Sequence, residues 1–532
     1  MSESQVYPQP AIVLATLNAK FIHASLGLRY LLANMGELRP FTTLREFTIA
    51  RAVEEIVEDL LATFDAQAEA GLRIVGFGVY LWNVRQTEAV IRRLRERCPD
   101  IRVVLGGPEV SHELDGQEIV TLADHVITGW GDVSFPALCR KLIAGRNSVA
   151  KVVVGEQPPL DQIALPYVEY SEADLVHRLV YVEASRGCPF NCEFCLSALD
   201  RTVWRFDLEC FLVEMRNLYE RGARHFKFVD RTFNLKTESA VRILRFFLER
   251  LAVGTESSEL FLHFEVVPDH LPERLRETIA LFPPGVLQFE VGVQSFNSAV
   301  QQLISRRQDM ARSEANLRWL ADQSNVHIHA DLIFGLPGET LESFAQGFDR
   351  LYALKPHEIQ LGVLKRLRGV PVIRHSEAYG LVFDLEPPYA VRETSSLDRE
   401  TIERFIRLAR YWDRIANSGR FKVAMPLLLE NGVGESPFYN FLAFSDWLWK
   451  RTGKTCRLSP ESLTDALFDY LVERGLPRRQ VEDALLADYL ASGARGSPAT
   501  LKARLPKLEI RERNRQKLAS RQAAHGVSGP GR

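Results

Sequence analysis

From Ala11 to about Ala150, short β-branched or apolar runs alternate with segments of helical period. The runs Ala11–Thr16, Leu44–Ile49, Arg73–Gly78, Ile101–Gly106 and His125–Thr128 predict strands, and Val53–Ala70 and Val84–Arg97 predict helices between them. Such alternation asks for a doubly wound α/β domain over residues 1–150, with ligands beyond the carboxyl ends of its strands. Pro158, Pro159 and Pro166 break the period across Gly155–Asp174, so residues 151–176 are expected to be an interdomain linker. The alternation then restarts with Val180–Ser185, His225–Asp230, Phe261–Val267, Leu287–Val293, His327–Phe334 and Glu358–Val363, a (β/α)6 pattern that predicts a partial barrel over 177–385. After Pro387 and Pro388 the strand signals thin. Arg399–Asn417 and Pro460–Arg474 read as helices of a C-terminal helical domain, 386–492. The stretch Gly493–Arg532 is basic, poor in large apolar residues and Gly-rich at its end, which predicts a solvated, disordered tail; weak contact with RNA or another polyanion is the alternative.

Composition adds limits. With 532 residues, 46% apolar and 25% charged, the chain is an ordinary multidomain globular protein. A net charge of -2 provides no global footprint for nucleic acid or a membrane surface. Met1–Pro10 lacks the pattern of a secretory signal, and no run is long and apolar enough to span a bilayer. Seven cysteines, three of them bunched, do not form a disulfide framework, so a reducing cytoplasm is expected. Cys98, Cys139, Cys210 and Cys456 are scattered singles, expected as small buried hydrophobes.

The bunched thiols lie in Ser185-Arg186-Gly187-Cys188-Pro189-Phe190-Asn191-Cys192-Glu193-Phe194-Cys195, directly after a predicted strand. A short loop can wrap three thiolates round one face of an iron–sulfur cubane and leave the fourth iron open. Structural zinc is the alternative, but it calls for four ligands in paired spacing, and no second Cys pair exists. This C-x3-C-x2-C, with Phe194 before its last Cys, resembles the signature of the radical SAM superfamily. The resemblance implies a [4Fe-4S] cluster on Cys188, Cys192 and Cys195. Its open iron would chelate S-adenosyl-L-methionine, whose reductive cleavage yields a 5'-deoxyadenosyl radical. Further motifs follow in order. Val229-Asp230-Arg231-Thr232-Phe233-Asn234 resembles the second-strand motif near the methionine moiety, with Arg231 in place of a second Asp. Gly292-Val293-Gln294-Ser295 and Arg306 resemble the fourth-strand motif and the Arg that meets the cofactor carboxylate. Leu332–Glu339, with Gly335 and Gly338, resembles the fifth-strand turn that packs on adenine. The chain departs from the family at Gly369-Val370-Pro371, where a Gly-Thr pair is commoner.

A flavodoxin-like or Rossmann-like domain ahead of a partial (β/α)6 TIM-like barrel is similar to the cobalamin-binding members of that superfamily. The residues that carry this are Leu17–His23, Gly78–Asn83 with Tyr80 and Trp82, Leu105–Glu109 with Gly106 and Gly107, and Gly129-Trp130-Gly131-Asp132. His23 is a candidate cobalt ligand, but Phe21 stands where the D-x-H-x-x-G motif has Asp, so cobalamin without a protein histidine ligand is expected. Alternatively, Trp82 is core and the domain a docking module without cofactor. Over nearly all residues up to about 490, including Gln360–Lys365, the chain resembles cobalamin-binding radical SAM proteins with an uncharacterised C-terminal domain. That implies methyl transfer to an unactivated carbon of a small molecule, with flavodoxin or ferredoxin as external electron donor. Oxidative cyclisation or rearrangement is a second reading, and a non-catalytic cobalamin or iron–sulfur sensor a third. Glu265 and Asp269 are either acid–base residues or structural carboxylates.

Overall fold

The computed structural model describes residues 10–67, 71–145, 149–253, 260–430, 435–494 and 496–505. Of the expected tail, Gly493–Arg532, the described part is not frayed: Leu501 is fully buried and Thr500 donates to Asp465 through its amide and hydroxyl; residue 495 and the stretch beyond 505 lie outside the described residues. The chain divides into two compact units. One comprises residues 1–231 with 366–371 and 384–389; the other comprises 232–365, 372–383 and 390–532.

In the first unit, β1 (Ala11–Asn18), β2 (Thr42–Thr48), β3 (Arg73–Gly78), β4 (Arg102–Gly106), β5 (His125–Thr128) and β6 (Val152–Val154) form a parallel sheet in the order β2-β1-β3-β4-β5-β6. β1 is buried at every position, which is why it reads as an unbroken apolar run. β6 is a three-residue edge strand, too short and exposed to carry a period. The reversal of strand order around β1 opens a crevice at the carboxyl ends of β1 and β3. The helix Val53–Asp65 stops short of Ala70 because its buried stripe, Ile56, Val57, Leu60 and Phe64, ends there; 68–70 are outside the described residues.

The expected linker is not a loose tether. Tyr167 and Tyr170 within it are fully buried and lie along β7 (Val180–Val182). The Tyr170 hydroxyl donates to the Tyr181 carbonyl at 2.8 Å and accepts from the Tyr181 amide at 3.1 Å. The Tyr167 hydroxyl serves Glu183 in the same way, at 3.0 and 3.1 Å. Two phenols thus satisfy alternate backbone groups along one edge of β7. β7 pairs in parallel with β10 (His225–Phe228), and β8 (Ser185–Arg186) pairs antiparallel with β9 (Trp204–Arg205), forming a neck that closes the loop holding the three bunched cysteines.

In the second unit, β11 (Phe261–Val266), β12 (Leu287–Gln294), β13 (His327–Phe334) and β14 (Glu358–Val363) run in parallel in the order β14-β13-β12-β11. All six strands expected of the barrel pattern are thus present. β15 (Val382–Phe383) and β16 (Val391–Glu393) add a short antiparallel pair. The helical region contains Arg399–Ile415, Pro437–Thr452, Pro460–Glu473 and Arg478–Ala491. Phe405 of the first of these stacks on Phe334 of β13 at 4.0 Å between ring centroids. Asp349 caps the helix Pro437–Thr452, accepting from the Ser436 hydroxyl and the Phe438 amide. Among the described residues, no helix is long and apolar enough to cross a membrane.

Candidate cofactor site

In the first unit a cavity of about 660 Å³ opens at the carboxyl ends of β1, β3, β4 and β5, and His23, Tyr80, Trp82, Gly106, Gly107 and Gly129 all line it. That is the size of a small-molecule or cofactor pocket. Trp82 is 48% exposed, so it is not core. Its ring stacks on Tyr80, 4.5 Å between centroids and 9° from parallel, and its Nε1 donates to the Leu17 carbonyl. Gly107 has φ +108°, and a Cβ there would sit 2.5 Å from the Val79 carbonyl oxygen, so close backbone packing requires this glycine. A Cβ on Gly106 would make only an ordinary 3.8 Å contact, which leaves its backbone open to a ligand.

The loop that carries His23 is fixed by a buried ion cluster. Glu46 accepts from the Ser25 amide at 2.6 Å and pairs with Arg29 at 2.9 Å and Arg178 at 2.6 Å, while Asp174 pairs with both arginines. Burial opposes the Glu46 charge, but the two arginines outweigh it and hold its carboxyl below the usual range. Arg178 also donates to the carbonyls of Phe21 and His23. The His23 ring is bonded through Nδ1 to the Tyr181 hydroxyl at 2.8 Å, and burial, with Lys227, Lys20 and Arg178, lowers its pKa. A neutral imidazole with one nitrogen engaged lies at the pocket wall. Among the described residues, no carboxylate is bonded to the ring.

Tyr181, Glu183 and Arg186 continue the same wall. Arg186 makes a bidentate pair with Asp132, at 2.9 and 3.1 Å, and a 2.8 Å bond to Glu183. Its guanidinium lies 4.4 Å from the Tyr30 ring centroid and 4.8 Å from that of Trp130. Trp130 Nε1 donates to the Asp200 carboxylate at 2.9 Å, and the Asp200 carbonyl accepts the Cys188 amide at 2.9 Å. Gly187 has φ +85°, with no room for a Cβ against Val203 and Thr202.

The cysteine loop fits a cluster. All seven cysteines are free, Cys188 and Cys192 are buried, and Cys195 is half-buried like Phe194. Burial pushes the Cys188 thiol up, and the neighbouring Cys195 and Cys192 push the same way. Thiols that repel one another as thiolates are stabilised by bound cationic iron. Among the described residues, no three His, Cys, Asp or Glu side chains converge on a single-ion position. A cubane takes one thiolate at each of three irons and needs no such convergence. The isolated cysteines only partly meet the expectation of burial: Cys139 is buried and Cys98 half-buried, but Cys210 and Cys456 are exposed. Cys210 sits in the first turn of the helix Leu208–Glu220, on its solvent side, with its amide capped by Asp207. Asp230 is buried, its carboxylate accepting from the Ala184 amide at 3.0 Å and the Ser185 hydroxyl at 2.5 Å. Burial raises its pKa to about 7.

In the second unit, Gln294 ends β12 after a register shift, with φ +72°, a conformation a non-glycine residue holds only under constraint. Its Oε1 is buried without a hydrogen-bond partner, as a ligand-facing amide would be. Arg306 donates to the Gly292 carbonyl and to Gln308. Ser295 donates to the buried Glu339, whose carboxyl burial raises and which also accepts from Ser343. Gly335 has φ +85°, and a Cβ there would strike Val391 at 2.5 Å; Gly338 has φ +76°. Glu265 lies in β11 in register with Glu290. Asp269 accepts the Asp309 amide, so one of its oxygens is committed to structure.

The sequence motifs therefore identified the cavity but missed Tyr181, Glu183 and Arg186. The signal for Arg186 was its place two residues before Cys188. Its partner Asp132 lay in a segment already singled out.

The chain matches the B12 binding domain over residues 12–139, the Radical SAM superfamily over 182–351, and a protein of unknown function family, DUF4080, over 377–526. It is 28% identical to an uncharacterized methyltransferase of Pyrococcus horikoshii, over 62% of this chain and 74% of that protein. It is 24% identical to the cobalamin-dependent radical SAM methyltransferase TokK of Streptomyces tokunonensis, over 69% of this chain and 60% of TokK. Among solved structures it resembles the cobalamin-dependent S-adenosylmethionine radical enzyme OxsB, with aqua-cobalamin and S-adenosylmethionine bound (TM-score 0.60, 13% identity, 90% of this chain and 79% of that one). It also resembles the radical S-adenosylmethionine methyltransferase TsrM from Kitasatospora setae (TM-score 0.56, 18% identity, 70% and 77%). At these identities the structural likeness shows the fold. The chain thus carries a B12-binding domain, a radical SAM segment and a DUF4080 segment, in that order.

Proposed function

We propose that this chain, with its B12-binding domain ahead of a radical SAM segment, is a cobalamin-dependent radical SAM methyltransferase acting on an unactivated carbon of a small molecule. The observation that carries the reading is the convergence of His23, Tyr80, Trp82, Gly106, Gly107 and Gly129 on one cavity, whose wall continues into Arg186, two residues before Cys188. When bound, a [4Fe-4S] cluster with S-adenosyl-L-methionine supplies a carbon-centred radical, and cobalamin supplies a methyl carrier. Cys188, Cys192 and Cys195 hold the cluster. Gln294, Ser295, Arg306, Gly335 and Gly338 receive S-adenosyl-L-methionine, and the buried Oε1 of Gln294 provides an acceptor. Asp230 acts one step back, fixing Ala184 and Ser185 at the root of the cysteine loop. His23 is assigned to the pocket wall rather than to cobalt, because Phe21 stands where the D-x-H-x-x-G motif has its Asp. Seven free thiols suit a reducing cytoplasm, where a flavodoxin or ferredoxin supplies electrons.

Anaerobic reconstitution tests this. The reduced, cluster-loaded protein should form 5'-deoxyadenosine from S-adenosyl-L-methionine and bind hydroxocobalamin, and Cys192→Ala should abolish the nucleoside product. No deoxyadenosine from protein whose cluster is intact would overturn the enzyme reading. With a substrate in hand, S-adenosylhomocysteine accompanying deoxyadenosine marks methylation, and deoxyadenosine alone marks cyclisation or rearrangement.

A further inference from the structure

Within the first unit, two short chains of contacts join the cavity wall to the cysteine loop. In one, Asp132 on the wall holds Arg186 through a bidentate pair, and Arg186 lies on β8 at the loop's neck. In the other, Trp130 on the wall donates to the side chain of Asp200, whose carbonyl receives the Cys188 amide. Trp130 also meets Trp204 of β9 edge-on at 5.7 Å. Both ends of the neck are thus fastened to the segment Gly129–Asp132. The pair is well buried, with side-chain exposures of 12% for Arg186 and 7% for Asp132.

We infer that Asp132, Arg186 and Trp130 are positioning residues that couple the two cofactor sites, so that cobalamin in the cavity and the cluster on Cys188, Cys192 and Cys195 each tighten the other's binding. The inference rests on the proposed function for the identity of the two groups. Its physical basis is desolvation. Arg186 and Asp132 both line the cavity, and a macrocycle filling it displaces water from the side they present to it. An ion pair cut off from water is stronger, and parting it then strands two uncompensated charges. Displacing the cysteine loop parts it, because Arg186 moves with the neck. Filling the cavity therefore makes departures from the cluster-holding geometry more costly. A cluster that fixes the loop in turn holds Arg186 and Trp130 where the wall needs them. Linkage makes the two effects equal in magnitude.

The test is a thermodynamic cycle on the full chain, read without turnover. Hydroxocobalamin Kd is measured anaerobically by absorbance with the cluster present and after its removal by a chelator. Independently, the rate at which a ferrous chelator strips the cluster is followed with and without hydroxocobalamin. We expect cobalamin to bind roughly five- to a hundredfold more tightly to the cluster-loaded protein, and chelation to slow when cobalamin is present. Asp132→Asn, which keeps the shape but removes the charge and one of the two acceptor oxygens that hold Arg186, should bring the ratio of the two Kd values close to one. Trp130→Phe, which removes the bond to Asp200 and shrinks the ring that meets Arg186 and Trp204 but keeps the Asp132–Arg186 pair, should lower it part of the way. Because the readout is a ratio within each variant, a general loss of affinity cancels. A wild-type ratio of one, or Asp132→Asn retaining the wild-type ratio, overturns the coupling. Failure of the wild-type chain to bind cobalamin at all overturns the proposed function instead. If Asp132→Asn does not fold, Trp130→Phe and the wild-type cycle still decide the matter.

Discussion

At the scale of single residues, Asp230 shows how a motif position can act through structure. Among the described residues, its carboxyl has no cationic partner. Burial favours the protonated form, and bonds from Ala184 and Ser185 offset that only in part, leaving a pKa of about 7. In the unfolded chain the same group titrates near 4. Between those values the unfolded chain gives up its proton while the native state keeps it, so stability falls as pH rises from about 4 to about 7 and is level above. The share of this decline due to Asp230 is at most roughly 4 kcal/mol. Asp230→Asn keeps an acceptor for Ala184 and should flatten the fall in denaturation midpoint between pH 5 and pH 8. Glu183, Glu339 and Asp488 also have raised values and contribute to the wild-type slope, so the difference between variant and wild type is what counts. An unchanged slope would show that Asp230 is ionised throughout.

Among the secondary-structure elements, legibility followed regular burial. β3 and β5 lie where the hydrophobic runs put them, because strands packed on both faces are nearly apolar throughout; β13 shows instead the alternation of buried and half-buried positions that marks a strand. The stretch Gly155–Asp174 misled because its buried groups, among them Leu160, Ile163, Tyr167 and Tyr170, are irregularly spaced and set among prolines, so they follow no period. Tyr167 and Tyr170 pack by shape and satisfy β7 through their hydroxyls, which leave no mark on a hydropathy pattern. Helix Pro437–Thr452 escaped notice for another reason. Its apolar residues run all round and its start depends on Asp349, far away in sequence. Phenol removal follows as a prediction. Tyr167→Phe and Tyr170→Phe each remove a hydroxyl bonded to a backbone amide and carbonyl, those of Glu183 and Tyr181 respectively, so each should cost about 1–3 kcal/mol in denaturant unfolding. Conserving the ring keeps the packing, so a loss below about 0.5 kcal/mol in both variants would mean that water replaces the hydroxyls.

For the whole molecule, the order of segments was readable but the boundary between the first two was not. Composition changes near residue 150, where the proline-rich stretch begins, yet the compact unit runs on to Arg231. The difference arises from groups that no local pattern reveals. Arg29 is almost wholly buried, and two of its charge partners, Glu46 and Asp174, lie on opposite sides of the apparent boundary. The candidate cavity takes Tyr181, Glu183 and Arg186 from beyond it. A fragment of residues 1–150 would keep the first five strands of the sheet but expose Arg29, remove Arg178 from Glu46 and open one side of the cavity. Breaking a buried ion cluster in this way costs about 3–5 kcal/mol, a large part of a domain's stability. The expected outcome is that the fragment aggregates or unfolds below the full chain's melting temperature and fails to retain hydroxocobalamin on gel filtration, while the full chain retains it. A fragment that binds cobalamin as tightly as the full chain would show that the five-strand sheet suffices for the site, and that the wall contributed by Tyr181, Glu183 and Arg186 is dispensable for holding the cofactor.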